Sequence, residues 1–293
     1  RLHPQLSALG ITEDFADVCR FLREQGVISP QVVSDKKRRI HILDGDRAWR
    51  LLTFVSGAFV KGIPTLDQLR RLGSALGQFH LVMRKYPFRL CSPLRLHETE
   101  SVFSRFNKTI SAFRSDSFYP SLSQEADVIS DNLPKLFLPK SLPRQIIHGD
   151  PKTSNFVFMK DGTVAFIDLD TCTTHTPLAD LGDALGGDAM VGSWCSTRGS
   201  KPKVRVSAFR AALQGHYGAM GSSFTQEKQY LVQAVKLIVL ELAARFFIDC
   251  FEDSYFHWDN VVYPSRRAHN AARVRAQVYF YNDLVRKEGS LRS

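Results

Sequence analysis

The stretch His148-Gly149-Asp150-Pro151-Lys152-Thr153-Ser154-Asn155, with Ile167-Asp168-Leu169-Asp170 beginning twelve residues after Asn155, constrains this chain more than any other feature. Its polar residues are set between short apolar runs: Gln145 to His148, Phe156 to Met159, and Val164 to Ile167 after an Asp161-Gly162 turn. Such runs read as short strands whose ends deliver side chains to neighbouring loops. Strand, loop, strand, turn, strand in succession predicts a compact hairpin arrangement in which Asp150, Asn155 and Asp168 converge. Carboxylates and an amide oxygen are hard ligands, suited to a divalent cation such as Mg2+. Metal-dependent phosphoryl transfer asks a protein to align a hydroxyl, hold the metal on the phosphates and neutralise developing charge. Asp150 is the candidate base for the acceptor hydroxyl. Asn155 and Asp168 are the candidate metal and nucleotide ligands, and Lys152 could reach the γ-phosphate of ATP. Asp, Asn and Gly also populate turns for local reasons, so the reading rests on the full set.

The rest of the chain supplies a frame for this segment. Thr12, Glu13 and Asp14 look like a helix start, Phe15, Val18, Cys19 and Leu22 repeat at helical spacing, and Gly26 ends the run. Arg39 to Leu43 and Ala48 to Val55 flank Asp44-Gly45-Asp46, which predicts an antiparallel hairpin. Beyond a Gly-containing joint at 56–64, Leu69, Leu72, Leu76, Phe79, His80 and Met83 mark a long helix. Further helices are expected over 97–115, 121–136, 226–252 and 266–287. The result is an α+β, two-lobed expectation: a small strand-bearing lobe over 1–56 and a large, mainly helical lobe over 57–293 that carries the site.

Composition narrows the function classes. The 293 residues are 44% hydrophobic and 23% charged, as in an ordinary globular protein, and the net charge of +10 admits nucleic acid, an anionic surface or a phosphorylated ligand. The basic residues gather at Lys36 to Arg39 and Arg198 to Arg205, without interleaved aromatics or a reading motif, so nucleic acid is not an expected partner. Five scattered cysteines without a Cys-x-x-Cys pair argue against a disulfide framework or zinc site, and for a cytoplasmic setting. The apolar run Val232 to Phe251 is broken by Lys236, Glu241 and Arg245, which reads as a buried helix and not a membrane span. Nothing in the sequence sets an oligomeric state.

His-Gly-Asp-x-x-x-x-Asn followed by Ile-Asp-x-Asp resembles the aminoglycoside phosphotransferase and choline kinase superfamily, which has a protein-kinase-like fold. Narrower features are similar to its N-acetylhexosamine kinase branch: Ile167 to Thr171 with Asp180 to Ala184, Trp49-Arg50 with Phe54, Gly77 to His80, and Arg245, Phe246, Asp249, Tyr255, Phe256, Asn270, Arg273 and Gln277. Gly149, Pro151, Ser154 and residues 172–177 depart from that branch. The resemblance implies ATP and Mg2+ as cofactors and a hydroxyl of a sugar, of the N-acetylhexosamine kind, as acceptor. It also implies a small lobe truncated at its N-terminus. Arg1 to Pro4 is then either the end of the strand carrying the phosphate-binding cation or simply where the sequence begins.

Several positions admit two readings. His80 is a core histidine or a substrate contact, and Asp170 supports the metal or binds substrate. Asp180 and Asp183 brace the loop or join the chemistry. Arg245, Asp249, Asn270 and Arg273 pair two helices or bind the acceptor. At the level of function, the alternatives to a sugar kinase are an aminoglycoside or choline-type kinase and an inactive kinase-like binding module.

Overall fold

The computed structural model describes residues 10–44, 47–92, 94–187 and 201–292. The expectations placed on Arg1 to Pro4 and on the Gly45-Asp46 turn lie outside the described residues. Eight α-helices among the described residues are joined by three two-stranded antiparallel sheets and short 3-10 turns, a mainly helical α+β architecture. The chain divides into two compact units. One takes Arg1–Leu96, Pro143–Asp180 and Ala211–Thr225; the other takes His97–Leu142, Leu181–Arg210 and Gln226–Ser293.

In the first unit, α1 (Ile11–Glu24) begins after Gly10, whose amide donates to Glu13 Oε2 at 3.0 Å. Its apolar stripe, Phe15, Val18, Cys19 and Leu22, is buried, and Gly26 (φ 78°) follows its end. Helix α2 (Leu66–Met83) opens on a capping box in which Thr65 and Gln68 exchange hydrogen bonds between side chain and amide. Leu69, Leu72, Leu76, Phe79 and Met83 then face inward, as their spacing predicts.

The strands are shorter than the sequence suggests. β1 (Ile42–Asp44) and β2 (Arg47–Trp49) pair in the expected sense, with Ile42 opposite Trp49, but only over three residues each. The predicted second strand splits: the Val33 amide donates to the Leu51 carbonyl oxygen and the Thr53 amide to that of Gln31 instead. The ladder ends where Arg50 turns its guanidinium inward. β3 (Gln145–Ile147) does not join the hairpin that follows it. It pairs with β6 (Thr173–His175), which the sequence reading missed, while β4 (Phe156–Phe158) and β5 (Val164–Phe166) pair across the Asp161-Gly162 turn. The left-handed Gly149 (φ 83°) and a 3-10 turn at Thr153–Asn155 separate β3 from that hairpin.

Helix α5 (Pro177–Gly186) carries Asp180, and α6 (Val206–Met220) supplies residues 211–220 of the first unit. α6 meets α2 at an unusually close crossing. A Cβ on Gly73 would lie 1.9 Å from the Ala212 carbonyl oxygen, and one on Gly215 would lie 1.9 Å from that of Arg70. Only hydrogen fits at these two contacts.

The second unit contains α3 (Thr99–Phe113), α4 (Ser123–Asn132), α7 (Leu231–Glu252) and α8 (Arg266–Arg292). Phe106, Phe113 and Tyr119 pack against Phe247 and Phe251 of α7, with ring centroids 5.0–6.5 Å apart. The expected helix over 121–136 is α4 flanked by two 3-10 turns. No helix among the described residues is long and apolar enough to cross a membrane.

Candidate active site

The first unit holds the His148–Asn155 loop. Gly149 sits at its turn, and a Cβ there would stand 2.2 Å from the Thr171 carbonyl oxygen, so the conformation and the space both require glycine. Lys152 Nζ meets Asp150 Oδ2 at 2.5 Å. Asn155 Nδ2 donates to the Asp150 carbonyl oxygen at 2.8 Å and more weakly to its Oδ2 at 3.3 Å. The structure thus brings Asp150, Lys152 and Asn155 together, as the motif predicts.

Asp168 follows β5 in the left-handed region (φ 61°), a conformation that costs a non-glycine residue energy. The residue is exposed, and its carboxylate forms no hydrogen bond or ion pair among the described residues. Burial still pushes its pKa up; Lys152 opposes that, and the carboxylates of Asp150 and Asp170 add to it. Crowded negative charge with one lysine nearby suits a cation. Asn155 is consistent with the same need: its amide nitrogen is committed to the loop, leaving Oδ1 as its acceptor. A hard divalent ion fits this donor set, completed by phosphate oxygens. Among the described residues, no cluster of three or more His, Cys, Asp or Glu is arranged to hold a metal.

Asp170 is differently employed. Both its oxygens take Arg50 in a bidentate pair at 2.8 Å, with the two side chains 8% and 3% exposed, and the guanidinium lies 3.7 Å over the Phe15 ring. The pair ties the segment after β2 to α1 and to the turn after Asp168. The sequence reading named Arg50 only within a resemblance. A charged residue inside the apolar run Ala48 to Leu52 was the available signal.

Beneath the loop, Asp180 accepts the amides of His148 and Gly149, each at 2.8 Å, and His80 Nε2 at 2.9 Å. It is fully buried. Burial works to raise its pKa, but the His80 hydrogen bond, the two nearby imidazoles and the Gly149 amide bring it below the ordinary carboxylate range. His148 receives the Asp150 amide at Nδ1 (3.3 Å) and donates from Nε2 to the Ile167 carbonyl oxygen (3.2 Å), which links the loop to the turn at Asp168. The structure therefore makes His80 a buried core histidine and Asp180 a loop brace.

In the second unit, Asp249 at the end of α7 is buried and fully engaged. Oδ1 accepts the amides of Ser254 and Tyr255, and Oδ2 accepts the Phe256 amide and Asn270 Nδ2, all at 2.8–2.9 Å. Asn270 Oδ1 in turn accepts Arg273 Nη1 at 2.9 Å. Burial tends to raise the Asp249 pKa, and these bonds outweigh it and lower the value. Asp249 and Asn270 thus organise the turn after α7. Arg245 and Arg273 differ: neither forms an ion pair with a carboxylate among the described residues. Their guanidinium groups stand 5.5 and 5.9 Å from the centroid of the same ring, Phe256, while Arg273 Nε and Gln277 Oε1 are buried without a partner.

A model of the phosphotransferase enzyme family matches residues 1–222. The chain belongs to that family. It is similar to the homoserine kinase of Caulobacter sp. (strain K31), at 26% identity over 243 residues that cover 82% of this chain and 69% of that protein. Its fold is similar to that of an amicoumacin kinase solved with AMP-PNP and Ca2+, at a TM-score of 0.62 and 14% identity, covering 93% of this chain and 78% of that one. It is also similar to an aminoglycoside phosphotransferase from Alicyclobacillus acidocaldarius subsp. acidocaldarius DSM 446, with TM-score 0.60, 14% identity and coverage of 98% and 84%. As a member of this family the chain is an ATP-dependent small-molecule phosphotransferase acting on a hydroxyl acceptor. These likenesses carry the family and its kinase-like fold, and not the N-acetylhexosamine branch.

Proposed function

We propose that the acceptor is a small hydroxy compound carrying an anionic group, of the hydroxy-amino-acid kind named in the homoserine kinase relatives. The observation that carries this reading is the pair Arg245 and Arg273, two guanidinium groups on one ring, neither of them in an ion pair with a carboxylate among the described residues. An acceptor carboxylate would form the ion pair that these two guanidinium groups do not make. An acceptor ammonium would donate to Gln277 Oε1, which shares the α8 stripe of Asn270 and Arg273. A neutral N-acetylhexosamine would draw on the hydroxyl-binding capacity of Asp249 and Asn270, and those atoms already serve the turn after α7. A polycationic aminoglycoside would meet like charge there.

Asp150 orients the acceptor hydroxyl and takes its proton as the new bond from oxygen to phosphorus forms. The bond between the γ-phosphorus and the bridging oxygen breaks, and ADP leaves. Lys152, paired with Asp150 at rest, would reach the transferring group and stabilise its charge. Asn155 and Asp168 would hold Mg2+, which neutralises charge on the nucleotide phosphates. Residues 1–56 belong to the small nucleotide-binding lobe in this reading, and 57–293 to the large one.

The test is Mg2+-dependent ADP release with L-homoserine, other hydroxy amino acids, N-acetylglucosamine, N-acetylgalactosamine, choline and an aminoglycoside. Release with a hydroxy acid, lost in Asp150→Asn and with a raised KM in Arg245→Gln and Arg273→Gln, is the expected result. Turnover of a sugar or a cationic acceptor alone, indifferent to both arginine substitutions, would overturn the acceptor assignment.

A further inference from the structure

Behind the catalytic loop the first unit buries a line of ionisable groups that the reaction itself does not use. His216 on α6 places Nε2 3.1 Å from His80 Nδ1, and His80 places Nε2 2.9 Å from Asp180 Oδ2. Asp180 holds the two amides that immediately precede Asp150. All three side chains belong to residues with no exposed surface. We propose that His216 is a positioning residue for phosphoryl transfer, acting through His80 and Asp180 to keep the His148–Asp150 backbone in its reactive conformation. This rests on the reading of Asp150 as the base.

The argument turns on which nitrogens carry protons. A carboxylate only accepts, so His80 Nε2 must be a donor. His80 Nδ1 then has two options against His216. It can accept from His216 Nε2–H, with both rings neutral, or it can donate as an imidazolium, which forces the His216 proton onto Nδ1. His216 Nδ1 is buried and has no partner. The second option would strand an N–H donor there, while the first strands only a lone pair; buried unpaired donors are the rarer fault. Burial pushes the His216 pKa well below the ordinary value, so this ring is neutral in either arrangement and the choice rests on the unpaired Nδ1. The groups facing it are thus His80 and Arg84 from α2 and its end, Asp180 from α5, and the Phe224 ring at 4.9 Å.

In this arrangement His216 selects the tautomer of His80 that can bond Asp180. Without the His216 donor, the His80 tautomer that bonds Asp180 leaves a buried lone pair on Nδ1 without a partner, so its advantage shrinks over the tautomer with the proton on Nδ1, in which two lone-pair-bearing atoms face each other across 2.9 Å. Asp180 would shift, and the amides it holds would shift with it. A third group that fixes an imidazole tautomer for a second is familiar from hydrolytic triads; here the output is a backbone position and not a proton. The close crossing of α2 and α6 at Gly73 and Gly215 sets the distance over which the two imidazoles meet.

The test compares His216→Leu with His216→Gln, whose amide nitrogen can occupy the place of Nε2 and donate to His80. The expected result is a fall in kcat of roughly ten- to a hundredfold for Leu, the range that a small misplacement of a reacting group produces. KM for ATP should be nearly unchanged, and Gln should retain kcat near the wild-type value. If the Leu protein does not fold, His216→Asn, whose shorter amide cannot reach His80, takes its place. Equal kcat losses in the rescued and unrescued variants, or no loss in either, would overturn the proposal. Asp150→Asn in the same assay separates the two readings. If it keeps turnover, the base assignment fails. If it is inactive while Leu and Gln behave alike, only the role of His216 fails.

Discussion

Removing one partner of the Arg50–Asp170 pair should destabilise this protein far more than removing both. The pair is nearly water-free, at 3% and 8% exposure, bidentate at 2.8 Å, and backed by the Phe15 ring at 3.7 Å. Breaking a buried pair leaves an uncompensated charge and costs about 3–5 kcal/mol, whereas replacing both members with apolar groups of similar volume is often near neutral. Loss of the contact with Phe15 adds about 0.5–2 kcal/mol when Arg50 is the residue removed. Arg50→Met and Asp170→Leu should therefore each lower the unfolding free energy by about 3–5 kcal/mol. For a protein of this size that is on the order of 10 °C in Tm. The double variant should lie within about 2 kcal/mol of wild type, a coupling of several kcal/mol in a double-mutant cycle. Urea unfolding followed by circular dichroism measures all four proteins. Additive single effects below about 1 kcal/mol would mean that the pair behaves as a solvated one, and the reasoning would be wrong. An Asp170→Asn protein with unchanged Tm and abolished turnover would move Asp170 from the frame into the chemistry.

Other substitutions probe the remaining frame. Gly149→Ala must place a Cβ 2.2 Å from the Thr171 carbonyl oxygen in a left-handed conformation, so kcat should fall roughly a hundredfold, and a fully active variant would refute the loop geometry. Asp249→Ala leaves three backbone amides without their acceptor and should cost about 3 kcal/mol in chemical unfolding, with Asp249→Asn recovering part; equal melting of all three proteins would sink this account. Burial tends to raise the pKa of Glu241, but His97, Thr99 and Arg245 hold it below its ordinary 4.5. Its contribution is therefore complete above that pH and lost as pH falls through the lower folded value. The stability gap between wild type and Glu241→Gln should close in acid; a gap that persists unchanged to pH about 3 contradicts the assignment.

What the sequence made legible was local. The stripe of α2 repeats every three or four residues, the Asp161-Gly162 turn carries its own geometry, and Asp150, Lys152 and Asn155 lie within one loop. What it concealed was contact between distant positions. Arg50 meets Asp170 across 120 residues, and His80 meets His216 across 136. No periodicity signals such a meeting. β6 was missed because Thr173-Thr174-His175 lacks alternating apolar residues, and its identity as a strand comes from its partner β3. Asp249 and Asn270 read as an inter-helix pairing or as acceptor contacts because a sequence does not show which backbone amides a turn leaves in need of an acceptor.

The crossing of α2 and α6 carries a consequence for descent. Helices normally pack with axes about 8–10 Å apart, and small residues permit closer approach. With carbonyl oxygens of each helix standing where the other would place a methyl group, positions 73 and 215 are closed to drift unless the helices part. A single methyl at either site must widen the gap that His216 spans to reach His80. Relatives that keep both histidines should therefore keep both glycines, and a lineage that loses one glycine should be found to have lost the imidazole contact as well.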